Sequence, residues 1–263
     1  MARSSDDAEW TALDRLSMAQ WLEQEGFRSA RLRWLVDYAC RDEFGGEPAR
    51  ISAWAAIWYF AARQEGSGER NEGYLTWPEG NTSLVQHLAK TSGAAVQMRL
   101  LIHSVAPTSQ GCQLGGVDCQ TGVPWAVNAR QVVLAVPRFV AARLVLPWRE
   151  EQPEFLSAFQ YAPWVVANLA VSTLPSGRGY PLAWDNVLYD SKSLGYVVAT
   201  HQRAAAREVG PSVLTWYYPF TGPDARGDRE RMLSLSYEQW EALVMADLQV
   251  AHPQLKALAE RLD

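Results

Sequence analysis

Gln131-Val132-Val133-Leu134-Ala135-Val136-Pro137, QVVLAVP, is the stretch on which the fold turns. It is short, apolar, rich in β-branched residues and closed by a proline. Such a run predicts a strand buried on both faces. Its meaning depends on what precedes it. Upstream stands YLTWPEGNTSLVQHLA, Tyr74 to Ala89. There a turn holding Gly80 opens a helix that Asn81 or Thr82 can cap, with Leu84, Val85, Leu88 and Ala89 as its inner face. From Val96 the period changes to two. Gln97–Val105, Gly111–Val117 and Val123–Asn128 read as strands, with Gly115-Gly116 and Thr121-Gly122 in the turns. This antiparallel meander feeds the QVVLAVP run.

Three helices open the chain. Thr11–Glu25 carries Leu13, Leu16, Ala19 and Leu22 at helical spacing, with a start at Thr11 and Asp14 that resembles a capping box and a stop at Gly26. Ser29–Cys40 puts Leu32, Leu35, Val36 and Ala39 on one face, and its arginines read as a solvated face. Residues Ser52–Gln64 are apolar nearly all round, which predicts a central helix. Glu65–Gly73, polar and glycine-rich, is the candidate boundary. Beyond Pro137, Pro137–Arg143 reads as a short helix entered through proline, and Pro147–Phe159 as a loop with a possible helix. The last third has its own strands: Trp164–Ser172, a short one within Leu182–Tyr189, Gly195–Gln202 and Ser212–Tyr218. Gly222–Arg231 reads as a charged loop. Ser236 and Gln239 form a capping box for a long amphipathic helix with Trp240, Leu243, Val244, Leu248 and Ala251 inward, and Pro253–Leu262 reads as a second helix. The whole is α+β: a mixed or antiparallel sheet with packed helices.

Bulk properties exclude several classes. The 263 residues, 48% of them hydrophobic, suffice for a sizeable core. A net charge of −5 argues against a nucleic-acid partner. The longest apolar stretch, Ile51–Ala62, falls short of a membrane span. The polar, acidic N-terminus does not resemble a signal peptide. Three cysteines, Cys40, Cys112 and Cys119, with no CxxC pattern point to reduced thiols and a cytoplasmic setting; Cys112 and Cys119 could still pair across a hairpin. Metal ligation is not expected, because the four histidines are far apart with no pair at i, i+4. No nucleophile elbow and no phosphate-binding loop is present, and Gly80 before a helix is a weak signal of that kind.

The polar residues that stand out lie in the last third. Asn168 interrupts an apolar strand. Trp184, Asp185, Asn186 and Tyr189 form an aromatic and polar turn. His201 and Gln202 follow Thr200 at a strand end. Polar groups at strand ends beside aromatics fix ligand orientation in pockets, and His201 is a candidate proton acceptor. The alternative is that these groups satisfy one another and the backbone. Twelve tryptophans can fill a core or line a pocket.

The order of these pieces resembles the middle portion of the flavin-containing amine oxidoreductases, the broad monoamine oxidase and protoporphyrinogen oxidase-like family. The turn-helix after Pro78, the meander, Val132–Pro137 as a "VVxAxPP"-type strand, and the strands Trp164–Ser172 and Gly195–Gln202 carry the resemblance. It implies FAD as cofactor, held in part by Gly80, Ile102 (through its backbone) and Pro137, and a small-molecule substrate bound by the later sheet. It implies residues 1–73 as the helical part of a substrate domain, 74–146 as a partial FAD-binding segment, and 147–263 as the substrate-domain sheet. The parent activity would be hydride transfer from substrate to flavin. The chain departs from the family in lacking a strand–GxGxxG–helix unit, a C-terminal glycine-rich FAD segment, and a lysine near Val165–Asn168. A truncated frame that binds FAD poorly is therefore the expectation. The exposed sheet edge this leaves could support a homo-oligomer. Two readings stand beside the enzyme: a non-enzymatic small-molecule binding module, and an interaction domain using the helices before Gln64.

Overall fold

A computed structural model describes residues 4–63, 77–176, 181–202 and 210–263, with the backbone alone at Gln202. The predicted boundary loop Glu65–Gly73 lies outside the described residues. In chain order the elements are α1 (Ala8–Thr11), α2 (Met18–Gln24), α3 (Ala30–Phe44), α4 (Ala53–Ala62), α5 (Thr82–Thr91), β1 (Leu100–Thr108), β2 (Gly111–Asp118), β3 (Pro124–Ala129), α6 (Arg138–Leu144), α7 (Leu146–Glu150) and α8 (Glu154–Ser157). There follow β4 (Trp164–Val171), β5 (Asp185–Asn186), β6 (Tyr196–Val198), β7 (Ser212–Pro219), α9 (Ala225–Ser234), α10 (Tyr237–Ala251), α11 (Leu255–Leu258) and β8 (Ala259–Leu262). The result is α+β, with antiparallel ladders. The chain divides into two compact units, one of Met1–Gly80 with Tyr161–Asp263, the other of Asn81–Gln160.

The larger unit is built on a five-stranded sheet in the order β5-β6-β7-β4-β8. Strict alternation explains its sidedness. Ala167, Leu169 and Val171 of β4, Tyr196 and Val198 of β6, and Leu214 and Trp216 of β7 are buried against Val244 and Leu248 of α10 and Leu255 of α11. Each such side chain contributes about 1.5–3 kcal/mol by burial. Helix α10 starts where the capping box predicted: Ser236 N donates to Gln239 Oε1 at 2.8 Å, and Gln239 N to Ser236 Oγ at 3.3 Å. Asp247 on α10 ties helix to sheet, accepting from Trp216 Nε1 at 2.7 Å and from Ser191 Oγ at 2.6 Å. The opening helices pack separately around Met18, Leu22, Val36, Cys40, Ala53 and Ala56.

The smaller unit holds the three-stranded meander β1-β2-β3, in the predicted order. Val105 of β1 makes an isolated parallel bridge to Val145. The decisive stretch departs from expectation here. Residues 131–136 are not a strand: they join no ladder, and Val133 is 91% exposed. Their alternation of exposed and half-buried positions is strand-like, but a strand needs neighbours for its backbone groups, and none pairs with it among the described residues. The intended inner face of α5 is likewise open, with Val85 and Leu88 more than 60% exposed.

Other expectations shift for local reasons. The single helix over Thr11–Glu25 is interrupted. Asp7, not Thr11, caps the first turn, and Ser17 with Gln20 makes a true capping box that restarts the chain as α2. The charged loop Gly222–Arg231 is largely helical, because Asp224 caps α9 by accepting from Arg226 N at 3.1 Å. Only Leu255–Leu258 of the expected last helix forms; the residues after it extend along the open edge of β4 as β8. The expected strand Gly195–Gln202 ends at Val198 and tightens into a 3₁₀ turn over Ala199–Gln202. Cys40, Cys112 and Cys119 are all free, so the hairpin pairing does not occur. Burial pushes the Cys40 thiol up to about 12.

Candidate functional site

Backbone register assembles a row that spacing along the chain does not reveal. Asn168 on β4 faces Thr215 on β7, Thr215 faces Val197 on β6, and Val197 faces Asp185 on β5. All four side chains therefore project from the side of the sheet opposite the α10 core. Thr215 Oγ1 donates to Asn168 Oδ1 at 2.9 Å. Two residues along, Val166 and Tyr217 continue the same face, and Trp164 follows two further on. The Trp164 and Tyr217 rings lie edge to face at 6.2 Å. Trp164 is 38% and Val166 48% exposed, so this apolar wall is open.

Asp185 is the electrostatic centre. Its carboxylate is reached by solvent at the rim yet crowded by protein on its other side. Desolvation pushes its pKa up, with the Asn186 backbone N–H partly opposing. Asp42 on α3 is raised too, first by burial and then by the negative charge of Asp185. Burial and then Asp185 likewise raise the phenols of Tyr38 and Tyr217. Tyr59 on α4 is raised by burial, with Asp42, Glu43 and Asp185 adding to the shift and Arg63 opposing it. Four elements, α3, α4, β5 and β7, thus bring two carboxyls and three phenols toward one locality. Helix α3 is anchored there: Arg41 is ion-paired to Asp37 at 2.8 Å and donates Nη1 to Lys192 O at 2.7 Å. An aromatic run, Tyr189 on Trp34 (4.7 Å) and Trp34 on Tyr38 (5.9 Å), leads along α3 toward the carboxyls.

The predicted pocket residues divide. Asn168 and Asp185 share the row, and Tyr189 joins the aromatic run. Asn186 is occupied with its own turn: Oδ1 accepts from Ala183 N at 2.9 Å and Nδ2 donates to Ala183 O at 2.7 Å. The Trp184 carbonyl accepts from Val198 N at 2.8 Å, and its side chain is 37% exposed. His201 sits in the 3₁₀ turn after β6, its Nδ1 buried without a partner among the described residues. The side chain of Gln202 lies outside the described residues. Tyr38, Asp42, Tyr59 and Tyr217 did not stand out in the sequence. The i, i+4 spacing of Tyr38 and Asp42 is the one signal that places two of them together.

Of the residues implied for FAD, Ile102 lies on β1 at a bulge opposite Gly116. Pro137 sits exposed at the entry to α6. Gly80 has φ +62° with open space around it. Asn81 makes no side-chain bond to the start of α5, so the expected cap is absent. With no GxGxxG turn in the sequence, the described residues do not fit a complete FAD site. Among the described residues, no group of acidic, histidine and cysteine side chains is placed to hold a metal, and no helix is long and apolar enough to cross a membrane.

The sequence matches no protein-family model and no curated protein. Solved structures do resemble it. A cofactor-binding redesign of putrescine oxidase superposes with TM-score 0.64 at 15% identity, over 92% of this chain and 51% of that one. Wild-type putrescine oxidase bound to putrescine gives 0.60 at 16%, over 90% and 50%. A fatty acid isomerase from P. acnes that produces CLA gives 0.58 at 14%, over 94% and 53%. This chain spans about half the length of these structures. At such identities the likeness concerns the fold alone.

Proposed function

We propose that this chain is the substrate-binding portion of an FAD-dependent oxidoreductase of the amine oxidase type, and that its substrate is a small cationic amine. The observation that carries the reading is the placement of Asp185 in the Asn168–Thr215–Val197 row, beside Asp42 and the phenols of Tyr38, Tyr59 and Tyr217. Two crowded carboxyls with raised pKa values gain most from a cation, which restores their charged forms. Tyrosine faces supply further attraction to an ammonium. A fatty carboxylate would meet the same groups as like charge. The open wall of Trp164 and Val166 suits the apolar part of such a substrate. Asn168 and Thr215, held to one another, offer a fixed amide and hydroxyl for orientation.

In this reading residues 74–146 form a partial FAD-binding segment, which has no GxGxxG turn to seat the flavin pyrophosphate. The parent reaction is hydride transfer to flavin, and the role of this chain is binding and orientation. Three free cysteines suit a reducing, cytoplasmic setting. Self-association through the apolar segment 131–136 is part of the same reading. A binding module without redox activity is the second reading, favoured by the absent GxGxxG turn.

Calorimetric titration with putrescine as probe tests the site. Saturable binding that weakens about tenfold in Asp185→Asn, the scale of one charge-assisted contact, supports the reading. Equal binding in the variant, or decanoate competing with putrescine, would overturn it. A visible flavin band after adding FAD separates the enzyme reading from the binding module.

A further inference from the structure

We infer a second ligand site, for a medium-chain carboxylate amphiphile, in the groove between α2, α3 and α4. Its apolar lining shares no residue with the carboxyl-lined sheet face, the hollow beside Arg31 touches only the Trp34–Tyr189 end of the aromatic run, and the inference does not rest on that reading. The groove has a volume of about 300 Å³ and an almost wholly apolar lining. Met18, Leu22 and Val36, each under 5% exposed, form its floor. Phe27 and Leu35 are its lips, 39% and 45% exposed, and Ile57 of α4 completes the lining.

The walls are held in place independently of any ligand. Arg33 Nε donates to Phe27 O at 2.8 Å, and Arg33 Nη2 donates to Glu23 at 2.6 Å, fastening the α2–α3 turn. The Phe27 ring leans on Trp21 at 5.5 Å. The cavity is therefore a formed feature at the small end of the size range of ligand pockets. At about 300 Å³ it is too small for a partner helix, which needs a long groove reading several turns.

Charge selects the head group. Arg31 lies one turn before Leu35 on α3 and lines the continuation of the groove with Trp34, Leu35 and Tyr189. Arg28 follows Phe27 directly. Arg31 has no ion-pair partner among the described residues, whereas the charge of Arg28 acts on Glu23, which is itself ion-paired to Arg33. Glu25, at the end of α2, is the other carboxylate beside the turn. One guanidinium, Arg31, in the hollow that shares the Leu35 lip with an apolar slot, matches an anion carrying an alkyl chain. A cation with the same chain would face repulsion.

The test is calorimetric titration of the full 263-residue chain with octanoate, decanoate and decyltrimethylammonium, all below their micellar concentrations. Expected are one saturable site for decanoate and roughly fourfold tighter binding per two-carbon step at the least, since each buried methylene alone is worth about that factor. Decyltrimethylammonium should bind at least fivefold more weakly. Leu35→Gln, at an exposed lip where folding is safe, should weaken decanoate severalfold. Arg31→Gln should weaken decanoate while leaving decanol unchanged. Absence of saturable decanoate binding, equal binding of both head charges, or wild-type affinity in Leu35→Gln would each overturn the assignment. Putrescine binding at Asp185 is measured separately and is independent of every one of these outcomes.

Discussion

Thr215 donates its hydroxyl to the Asn168 side-chain carbonyl across the β4–β7 pair, 2.9 Å apart, on the sheet face that points away from the α10 core. The bond fixes the orientation of the Asn168 amide and leaves its N–H groups free to meet a ligand. Thr215→Val should cost less than about 1 kcal/mol in stability, because the pair is open to water. It should nonetheless weaken amine binding, since the amide loses its orienting partner. Urea unfolding and calorimetry on one variant separate the two effects.

Asp42 and Asp185 make stability depend on pH. Both carboxyls are raised by burial, so the folded state holds their protons more tightly than the unfolded chain. Stability from this source is present below the ordinary carboxylate range and is lost as pH rises through the raised values. Asp42→Asn should therefore match the wild type at pH 3 and exceed it at pH 7, by up to about 1 kcal/mol after solvent screening. A cation bound there acts in the opposite sense, so amine affinity should rise over the same interval. Thermal melts from pH 3 to 8, with and without putrescine, read both slopes.

Gly195 precedes β6 with φ +84°, and a Cβ there would collide with the Asn186 carbonyl oxygen. Neither the left-handed backbone nor the backbone contact can relax cheaply. Gly195→Ala should cost more than about 2 kcal/mol, combining strain with displacement of β5. Denaturant midpoints check this. Putrescine affinity should fall as well, because β5 carries Asp185.

His252 is 2% exposed and accepts at Nε2 from the Tyr196 hydroxyl, while its Nδ1 lies 3.0 Å from the Ser176 carbonyl. The carbonyl can only accept, so Nδ1 carries the proton. Tyr196→Phe should cost about 1–3 kcal/mol by leaving Nε2 buried and unpaired. Burial pushes the Tyr196 phenol up to about 12, so in an ultraviolet titration it should ionise after the exposed tyrosines.

Val133, 91% exposed, contributes little to the fold of its unit. Val133→Lys should change stability by less than about 0.5 kcal/mol and should lower self-association, as a charge blunts an extended apolar segment. Light scattering against concentration is the readout. Unchanged scattering would separate the segment from any oligomer.

Much of the fold was legible along the chain because it rests on local chemistry. The Ser236–Gln239 capping box, the Thr121-Gly122 turn of the meander and the alternation in Trp164–Val171 are short-range signals, and each element forms there; Gly115-Gly116, expected in a turn, instead lies inside β2, paired on both sides. The misread elements depend on distant partners. Residues after Leu258 became a strand because the edge of β4 was open. Residues 131–136 carry every local mark of a buried strand and form none. The candidate site behaves likewise. Asn168 and Asp185 stood out as polar residues in apolar surroundings, but Tyr38, Asp42 and Tyr59 sit on helices whose apolar periodicity hid them.

By itself, then, the sequence determined the class of the elements with local start and stop signals, the α+β character and the acidic balance, because caps, turns and periodicity act within a few residues. Only the tertiary structure decided that Asp185, Val197, Thr215 and Asn168 form one row. Strand register is set by packing the α10 core on the opposite face, and no local rule encodes which residue of one strand meets which of another. The same holds for QVVLAVP: its composition prescribes a strand, but a strand exists only where a neighbour supplies the other half of its hydrogen bonds.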